Sequence, residues 1–146
     1  MTLRKIVFPL LRLVMGFIFL WAFLDKLFGL GFATTADHSW LAGSSPTAGF
    51  LTFAARGPLA EFFQGLAGFA AVDWLFMLGL LFVGLTLIFN RYLKWGCLAG
   101  GVMMLLIYLA LNPPEHNPFI DEHIVYILVL ALLAIDNQEN QQKAGG

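Results

Sequence analysis

The sequence has little charge and almost no cysteine. Asp, Glu, Lys and Arg make up 12% of its 146 residues, about half of the ~25% that is usual in soluble domains. Its single cysteine, Cys97, excludes an intramolecular disulfide, a CxxC redox pair and a cysteine-ligated iron–sulfur cluster. Phosphate loops, nucleophile elbows, dinucleotide fingerprints and basic patches are also missing from the sequence. Nucleic-acid binding and thiol-pair redox chemistry are therefore excluded.

Apolar residues dominate what is present. Hydrophobic residues account for 60% of the chain, which also contains 15 Phe and 15 Gly. Soluble domains contain about 45–50% apolar residues even when glycine is counted. Because a soluble fold of this length could not cover so much apolar surface, we expect one domain, residues 1–146, embedded in a lipid bilayer.

Four apolar runs predict an all-α, four-helix integral membrane bundle. The first run, Ile6–Leu24, has 19 residues, close to the ~20 that a bilayer requires. It is longer than the apolar region of a cleaved signal peptide, which favours an uncleaved anchor over cleavage near residues 33–36. Asp73 is expected to cap the second helix, and Asn117-Pro118 to open the fourth. The predicted helices cover about 6–32, 73–90, 94–111 and 118–135, followed by a polar tail, 136–146.

The segment between the first two helices, about 33–72, predicts an outer cap rather than a simple loop. Ser45-Pro46 is typical of a helix start and predicts a short helix through Phe53. After Gly57-Pro58, apolar residues recur at helical spacing from Leu59 to Phe69. About 11 residues cannot span a bilayer, so this piece is expected to be interfacial or re-entrant. Trp40 and Trp74 are expected at headgroup depth.

The distribution of Lys and Arg predicts both termini on the cytoplasmic side of the cell membrane. That side would carry six basic and two acidic residues, net +4, whereas the outer side would carry two basic and seven acidic residues, net −5. The six basic residues are Arg4, Lys5, Arg12, Arg91, Lys94 and Lys143.

Two cations lie on one stripe of the first helix, which also contains Gly16, Phe19 and Phe23. Glycine allows close helix approach, so this stripe is expected to face the bundle interior. Arg12 either extends to the inner headgroups or forms an interior polar site. Lys26 lies about 21 Å farther along the helix and belongs to the outer end.

The first turn of the predicted fourth helix supplies Asp121, Glu122 and His123. The two acids either stabilise the helix N-terminus, which favours negative side chains, or have a functional role. His123 shares a face with Tyr126 and is a candidate functional residue, because histidine as a residue type can serve as a proton donor or acceptor. Tyr108, near the outer end of the third helix, is either a phenolic donor or an interfacial anchor. The histidine spacing does not indicate a metal site.

Several motifs resemble the DoxX/DoxD family of small four-helix membrane proteins. They include Trp40-Leu-Ala-Gly-Ser-Ser-Pro-Thr-Ala-Gly-Phe50, Val72-Asp-Trp-Leu-Phe-Met-Leu-Gly-Leu80 and Asn112-Pro-Pro-Glu-His-Asn-Pro-Phe-Ile-Asp-Glu-His-Ile124. The resemblance covers the chain up to Ile135. It implies relation to the large subunit of thiosulfate:quinone oxidoreductase, which would use quinone as electron acceptor and a smaller partner subunit.

The sequence leaves two main functions open. In the first, an oxidoreductase subunit passes electrons to quinone at the outer leaflet, with Lys26, His123 and Asp121 as catalytic candidates. The cofactor-binding candidates are Arg12, Trp40, Tyr108 and Tyr126. In the second, the chain is a non-catalytic scaffold or assembly partner that binds a soluble redox protein through the surface of the cap. A small-molecule transporter is a lesser alternative. Lipid contact, a redox partner and homo-oligomerisation are the expected interactions.

Overall fold

The computed structural model describes residues 3–145, which form helices and connecting turns and contain no strand. The all-helical class predicted from the sequence is therefore confirmed for these residues. The α-helices are α1 (Arg4–Phe28), α2 (Ala60–Gly65), α3 (Ala70–Phe89), α4 (Leu93–Ala110) and α5 (Glu122–Gly145).

The four long helices pack as antiparallel neighbours, α1 on α3, α3 on α4 and α4 on α5, with a smaller contact between α1 and α5. Glycines allow the closest approaches. A Cβ added to Gly16 would lie 2.8 Å from Ile88 Cγ1, and one added to Gly96 would overlap Thr86 Oγ1. Between them lies an apolar core that includes Phe19, Val83 and Leu130. Small residues thus set the spacing of the helices, as they commonly do in membranes.

Three helices, α1, α3 and α4, are long and apolar enough to cross a membrane. Many of their large apolar side chains are exposed, for example Leu10, Leu75 and Leu98. Such surfaces suit lipid contact and would be unfavourable in water. The helix α5 does not meet the same test, because its apolar run, Ile124–Ile135, has only 12 residues, about 18 Å of helix.

The predicted bounds of α1 and α3 need correction. α1 ends at Phe28 rather than near 32, because Gly29 adopts a left-handed conformation (φ 67°) and its N–H bonds to Asp25 O. This is a common helix ending. α3 begins at Ala70, before Asp73, with no side-chain cap. Asp73 lies inside the first turn of the helix and therefore does not cap it.

Both predicted ends of α5 were also wrong. The Asn117 Oδ1 atom accepts hydrogen bonds from the N–H groups of Phe119 and Ile120, which closes a turn where the helix was expected to start. Asp121 then accepts from the N–H of His123, immediately before the helix begins at Glu122. The polar tail continues the helix to Gly145, supported by an Asn140–Asp136 hydrogen bond one turn apart.

The outer segment folds as a compact cap made of short helical pieces. These are Ala36–His38, a π-helical turn Phe50–Ala54, Gly57–Leu59 and α2. Only six residues of the apolar stretch Leu59–Phe69 form α2. The helix is therefore shorter than the piece of about 11 residues predicted from the helical spacing of the apolar side chains. Leu51 and Phe63 bury themselves against Ala110 at the end of α4, forming a second, smaller core.

Arg56 joins the cap to the end of α4. Its backbone N–H bonds to Ala110 O at 2.9 Å, and its side chain donates to Leu111 O and Glu115 Oε1. The next residue, Gly57, has φ 74°, and a Cβ there would overlap the carbonyl oxygen of Asn112. Only glycine fits this close approach.

The fold has two ends with different contents. We call the end that carries residues 30–72 and 111–121 the cap end. The opposite end, with residues 3–12, 90–95 and 136–145, is the terminal end. The antiparallel packing puts the predicted inner basic residues together at the terminal end and Lys26, Arg56 and the seven predicted outer acids together at the cap end.

Candidate functional site

An aspartate–histidine pair stands at the start of α5. The Asp121 Oδ2 atom lies 2.9 Å from His123 Nδ1, while Asp121 Oδ1 accepts the backbone N–H of His123 at 3.0 Å. Both side chains are largely buried, with 12% and 14% exposed respectively. With a proton on Nδ1, the ring donates to Asp121 and presents Nε2 as the exchangeable position. The carboxylate therefore both caps the helix and orients the imidazole.

Tyr126 follows His123 one turn later, partly buried against the main core. Leu130, one turn further, is 1% exposed, so this face of α5 points towards the other helices. Tyr108 lies in the last turn of α4, and its hydroxyl donates to Phe119 O at 2.6 Å. The Tyr108 hydroxyl thus holds the loop that leads into α5.

Lys26 lies half-buried on the last turn of α1. Its Nζ is 5.9 Å from the centre of the Phe76 ring, a distance at which a cation and an aromatic face attract. Among residues 3–145, no carboxylate forms an ion pair with it. A cation at this position is therefore available to an anionic or electron-rich group.

The packing of the core relates the depth of Lys26 to that of His123. Phe19 of α1 and Leu130 of α5 both lie within 3.5 Å of a Cβ built on Gly100. Lys26 is seven residues beyond Phe19, and His123 is seven residues before Leu130. Because α1 and α5 run antiparallel, both lie about 10.5 Å from that point towards the cap end. No hydrogen bond or ion pair within the described residues joins the two side chains directly.

Asp25, beside Lys26, is 2% exposed. Its carboxylate accepts hydrogen bonds from the N–H groups of Phe32 and Ala33, at 3.2 and 2.8 Å. Sequence reasoning missed this role, because the two N–H groups lie seven and eight residues further along the chain, beyond the end of the helix. Asp25 fixes the turn that leaves α1 and enters the cap.

Asp73 performs the corresponding task for α3. Its Oδ1 accepts hydrogen bonds from Ser45 Oγ and Thr47 Oγ1, at 2.7 and 2.5 Å. Ser45 Oγ also accepts the N–H of Ala48, in the turn that precedes the π-helical segment Phe50–Ala54. The serine and threonine are more than 25 residues from Asp73, so no local sequence signal indicated the contact. Trp40 stacks edge-on against Trp74, with ring centres 4.7 Å apart, beside this contact.

Arg12 lies far from this group of residues, towards the terminal end. Its guanidinium donates to the carbonyl oxygens of Leu87 and Ile88 in the last turn of α3. A cation there satisfies carbonyls that lack partners within the helix and complements the helix dipole. Arg12 therefore has a partner inside the protein and is not brought together with Lys26 or His123.

Three potential metal ligands do occur together, in contrast to the dispersed histidines of the sequence. One ligand atom each from Asp121, Glu122 and His123 lies within 4.8 Å of the others. Glu122 is exposed, and the Asp121 carboxylate already accepts hydrogen bonds from His123. Capping of the helix by Asp121 is therefore enough to explain why these three side chains lie together.

Comparisons of the chain with protein-family models, with curated proteins and with solved structures gave no match.

Proposed function

We propose that the chain is a DoxX/DoxD-type protein of the cell membrane, with all four long helices crossing the bilayer and both termini cytoplasmic. The separation of net positive and net negative charge between the two ends supports this orientation. The helix α5 has 24 residues, about 36 Å in length, which exceeds the ~30 Å hydrocarbon core. Its contact with α4 shields one side of its short apolar run.

Within that membrane protein, we propose a quinone-linked oxidoreductase subunit with its site at the cap end. The observation that carries the proposal is the Asp121–His123 pair at the same depth as Lys26. A bound quinone would supply a two-electron, two-proton acceptor for electrons from a reduced donor. His123 Nε2 would donate a proton, Asp121 would stabilise the charged imidazole, and the Lys26 ammonium would stabilise negative charge on oxygen.

The surroundings fit an aromatic, weakly polar ligand. Phe23, Phe76 and Tyr126 are each partly buried against the core at this end and offer ring surfaces. Arg56, the other cation of the cap end, is paired with Glu115 at 2.7 Å. Lys26 and a protonated His123 are therefore the positive groups available to an anionic donor such as thiosulfate, which the negative cap end otherwise repels.

The test is quinone reduction by the purified protein in lipid nanodiscs, with a water-soluble quinone analogue. Lys26→Met and His123→Ala should each lower turnover at least tenfold, since a charged hydrogen bond contributes ~1.5–3 kcal/mol. The control is Glu122→Gln, which removes an exposed charge beside His123 and should retain turnover. Wild-type rates in both folded variants would contradict the assignment.

A scaffold for a soluble redox protein is the second candidate, and the exposed aromatic surface of the cap favours it. Phe53 is 88% exposed and Phe62 is 63% exposed, although the cap beneath them is held by Asp73 and Arg56. If the chain is a scaffold, Phe53→Ser should release the partner from purified membranes while Lys26→Met retains it. Retention of the partner in Phe53→Ser, together with loss of quinone reduction in Lys26→Met, would favour the enzyme.

The orientation is tested by cysteine labelling in a Cys97→Ser background. In intact cells, an impermeant reagent should modify Ser44→Cys in the cap and should not modify Gln141→Cys near the end of α5. Labelling of Gln141→Cys alone would reverse the proposed topology.

A further inference from the structure

A groove runs along the outward surface between α4 and α5 and has a volume of about 450 Å³. Its floor contains Cys97 and Leu130, both buried, and Gly101, where an added Cβ would meet no atom within 4 Å. Exposed Leu98 and Leu105 form part of its rim. An open, apolar channel between two helices is shaped for a flexible hydrocarbon chain.

The groove is polar only near the terminal end, where Lys94 and Gln138 line it. Among residues 3–145, Lys94 has no ion pair; its Nζ lies 5.9 Å from the Trp95 ring. The acids of α5 nearest to this end, Asp136 and Glu139, are both paired with Arg4. The groove therefore ends at a cation and an amide that lack an anionic partner.

The length of the groove matches one leaflet of a bilayer. Lys94 and Leu105 are eleven residues apart on α4, which corresponds to about 16 Å of helix. Half of the ~30 Å hydrocarbon core is about 15 Å. An acyl chain lying against Gly101 and Leu105 would thus place its headgroup phosphate beside Lys94.

We propose that this groove binds an anionic phospholipid, with one acyl chain along α4 and α5 and the phosphate on Lys94 and Gln138. Charge favours an anionic over a zwitterionic lipid, because the terminal end carries net +4, and basic pockets between membrane helices bind such headgroups. A parallel two-fold dimer through the same groove is less suitable, since it would bring two Lys94 side chains to the same depth.

Native mass spectrometry of the detergent-purified protein, titrated with phosphatidylglycerol or phosphatidylcholine, tests the headgroup contact. Lys94→Gln should weaken phosphatidylglycerol binding about fivefold, the effect of one lysine near a phosphate, and leave phosphatidylcholine binding unchanged. Lys94→Arg should retain the preference, and Arg91→Gln, an exposed cation outside the groove, should have no effect. Equal loss in Lys94→Gln and Arg91→Gln would mean general attraction to the basic end and would overturn the site.

Filling the groove tests the chain contact independently. Gly101→Leu places a side chain in open space, so the protein should fold while binding of both lipids falls about tenfold, because several buried methylene contacts are lost. Leu106→Phe, an exposed change on α4 outside the groove, is the control. Unchanged lipid binding in Gly101→Leu would overturn the proposal, as would a wild-type dimer that dissociates in Gly101→Leu and binds no lipid.

Discussion

The cap end and the terminal end of the packed helices hold their charged groups in different ways. At the terminal end, Arg4 pairs with Asp136 and Glu139 at the surface; the Arg4 and Glu139 side chains are 45% and 44% exposed, and that of Asp136 is 15% exposed. At the cap end, Asp25 and Asp73 are 2% and 7% exposed, and each accepts two hydrogen bonds from the cap. Both ends join segments that are distant in sequence.

The energetic consequences of these two arrangements differ. Exposed ion pairs contribute little, because water and salt screen them. A buried carboxylate has lost its water, so its hydrogen-bond donors are essential to it. Those donors, the N–H groups bonded to Asp25 and the hydroxyls bonded to Asp73, depend on the carboxylate in turn. The cap should therefore depend on single carboxylates, whereas the terminal end should tolerate loss of its ion pairs. Two substitutions test this difference, and a third, at an uncharged helix contact, gives a reference between them; they follow in order of decreasing effect.

The largest effect is expected from Asp25→Ala. The N–H groups of Phe32 and Ala33 would lose their acceptor, and each unsatisfied group costs ~1–3 kcal/mol. Because Phe32 and Ala33 lie at the surface, we expect the lower part of the summed range, a loss of about 2–4 kcal/mol in the free energy of unfolding, measured by denaturant titration in detergent. Asp37→Ala, an exposed acid of the same cap, is the control and should not change stability. Equal stability of the two variants would mean that the buried carboxylate does not hold the cap.

A smaller effect is expected at the close, uncharged contact between α3 and α4. Gly96→Ala would force its Cβ onto Thr86 Oγ1, and overpacking of this kind costs ~1–3 kcal/mol. Gly101→Ala is a matched control on the same helix, because its Cβ would meet no atom within 4 Å. Thermal unfolding in detergent should separate the two variants. Similar midpoints would show that α3 and α4 shift apart without cost.

The smallest effect is expected at the Arg4 ion pairs. The hydrogen bond from Arg4 lowers the pKa of Glu139 below its ordinary value of 4.5. A lowered carboxyl pKa stabilises the fold at neutral pH, and this contribution is lost as the pH falls through the lowered value. We expect Arg4→Gln to reduce the acid sensitivity of unfolding only slightly, and 1 M salt to mimic it. A large change in acid sensitivity that salt does not reproduce would mean that the terminal end, like the cap end, depends on buried charge contacts.

Sequence reasoning identified the features that depend on local pattern. Apolar runs separated by polar turns predicted the long helices, and the spacing of Arg12, Gly16 and Lys26 predicted a stripe on α1. In the structure Gly16 is buried against α3. The bounds of α5 could not be predicted as well, because Asn117-Pro118 and Asp121 offer two competing starts within five residues. The structure uses the second start, and the Tyr108 hydroxyl donates to Phe119 O in the intervening loop.

The sequence by itself determined that this chain is helical and too apolar for water, since both follow from composition and periodicity. It also determined that most basic residues lie towards one end of the predicted helices and most acids towards the other. Only the tertiary structure decided the partners of the polar groups: Asp73 with Ser45 and Thr47, and Arg12 with the carbonyls of α3. These contacts join residues 26 to 76 positions apart. Local sequence patterns do not encode them, because they exist only when antiparallel packing brings the helix ends together.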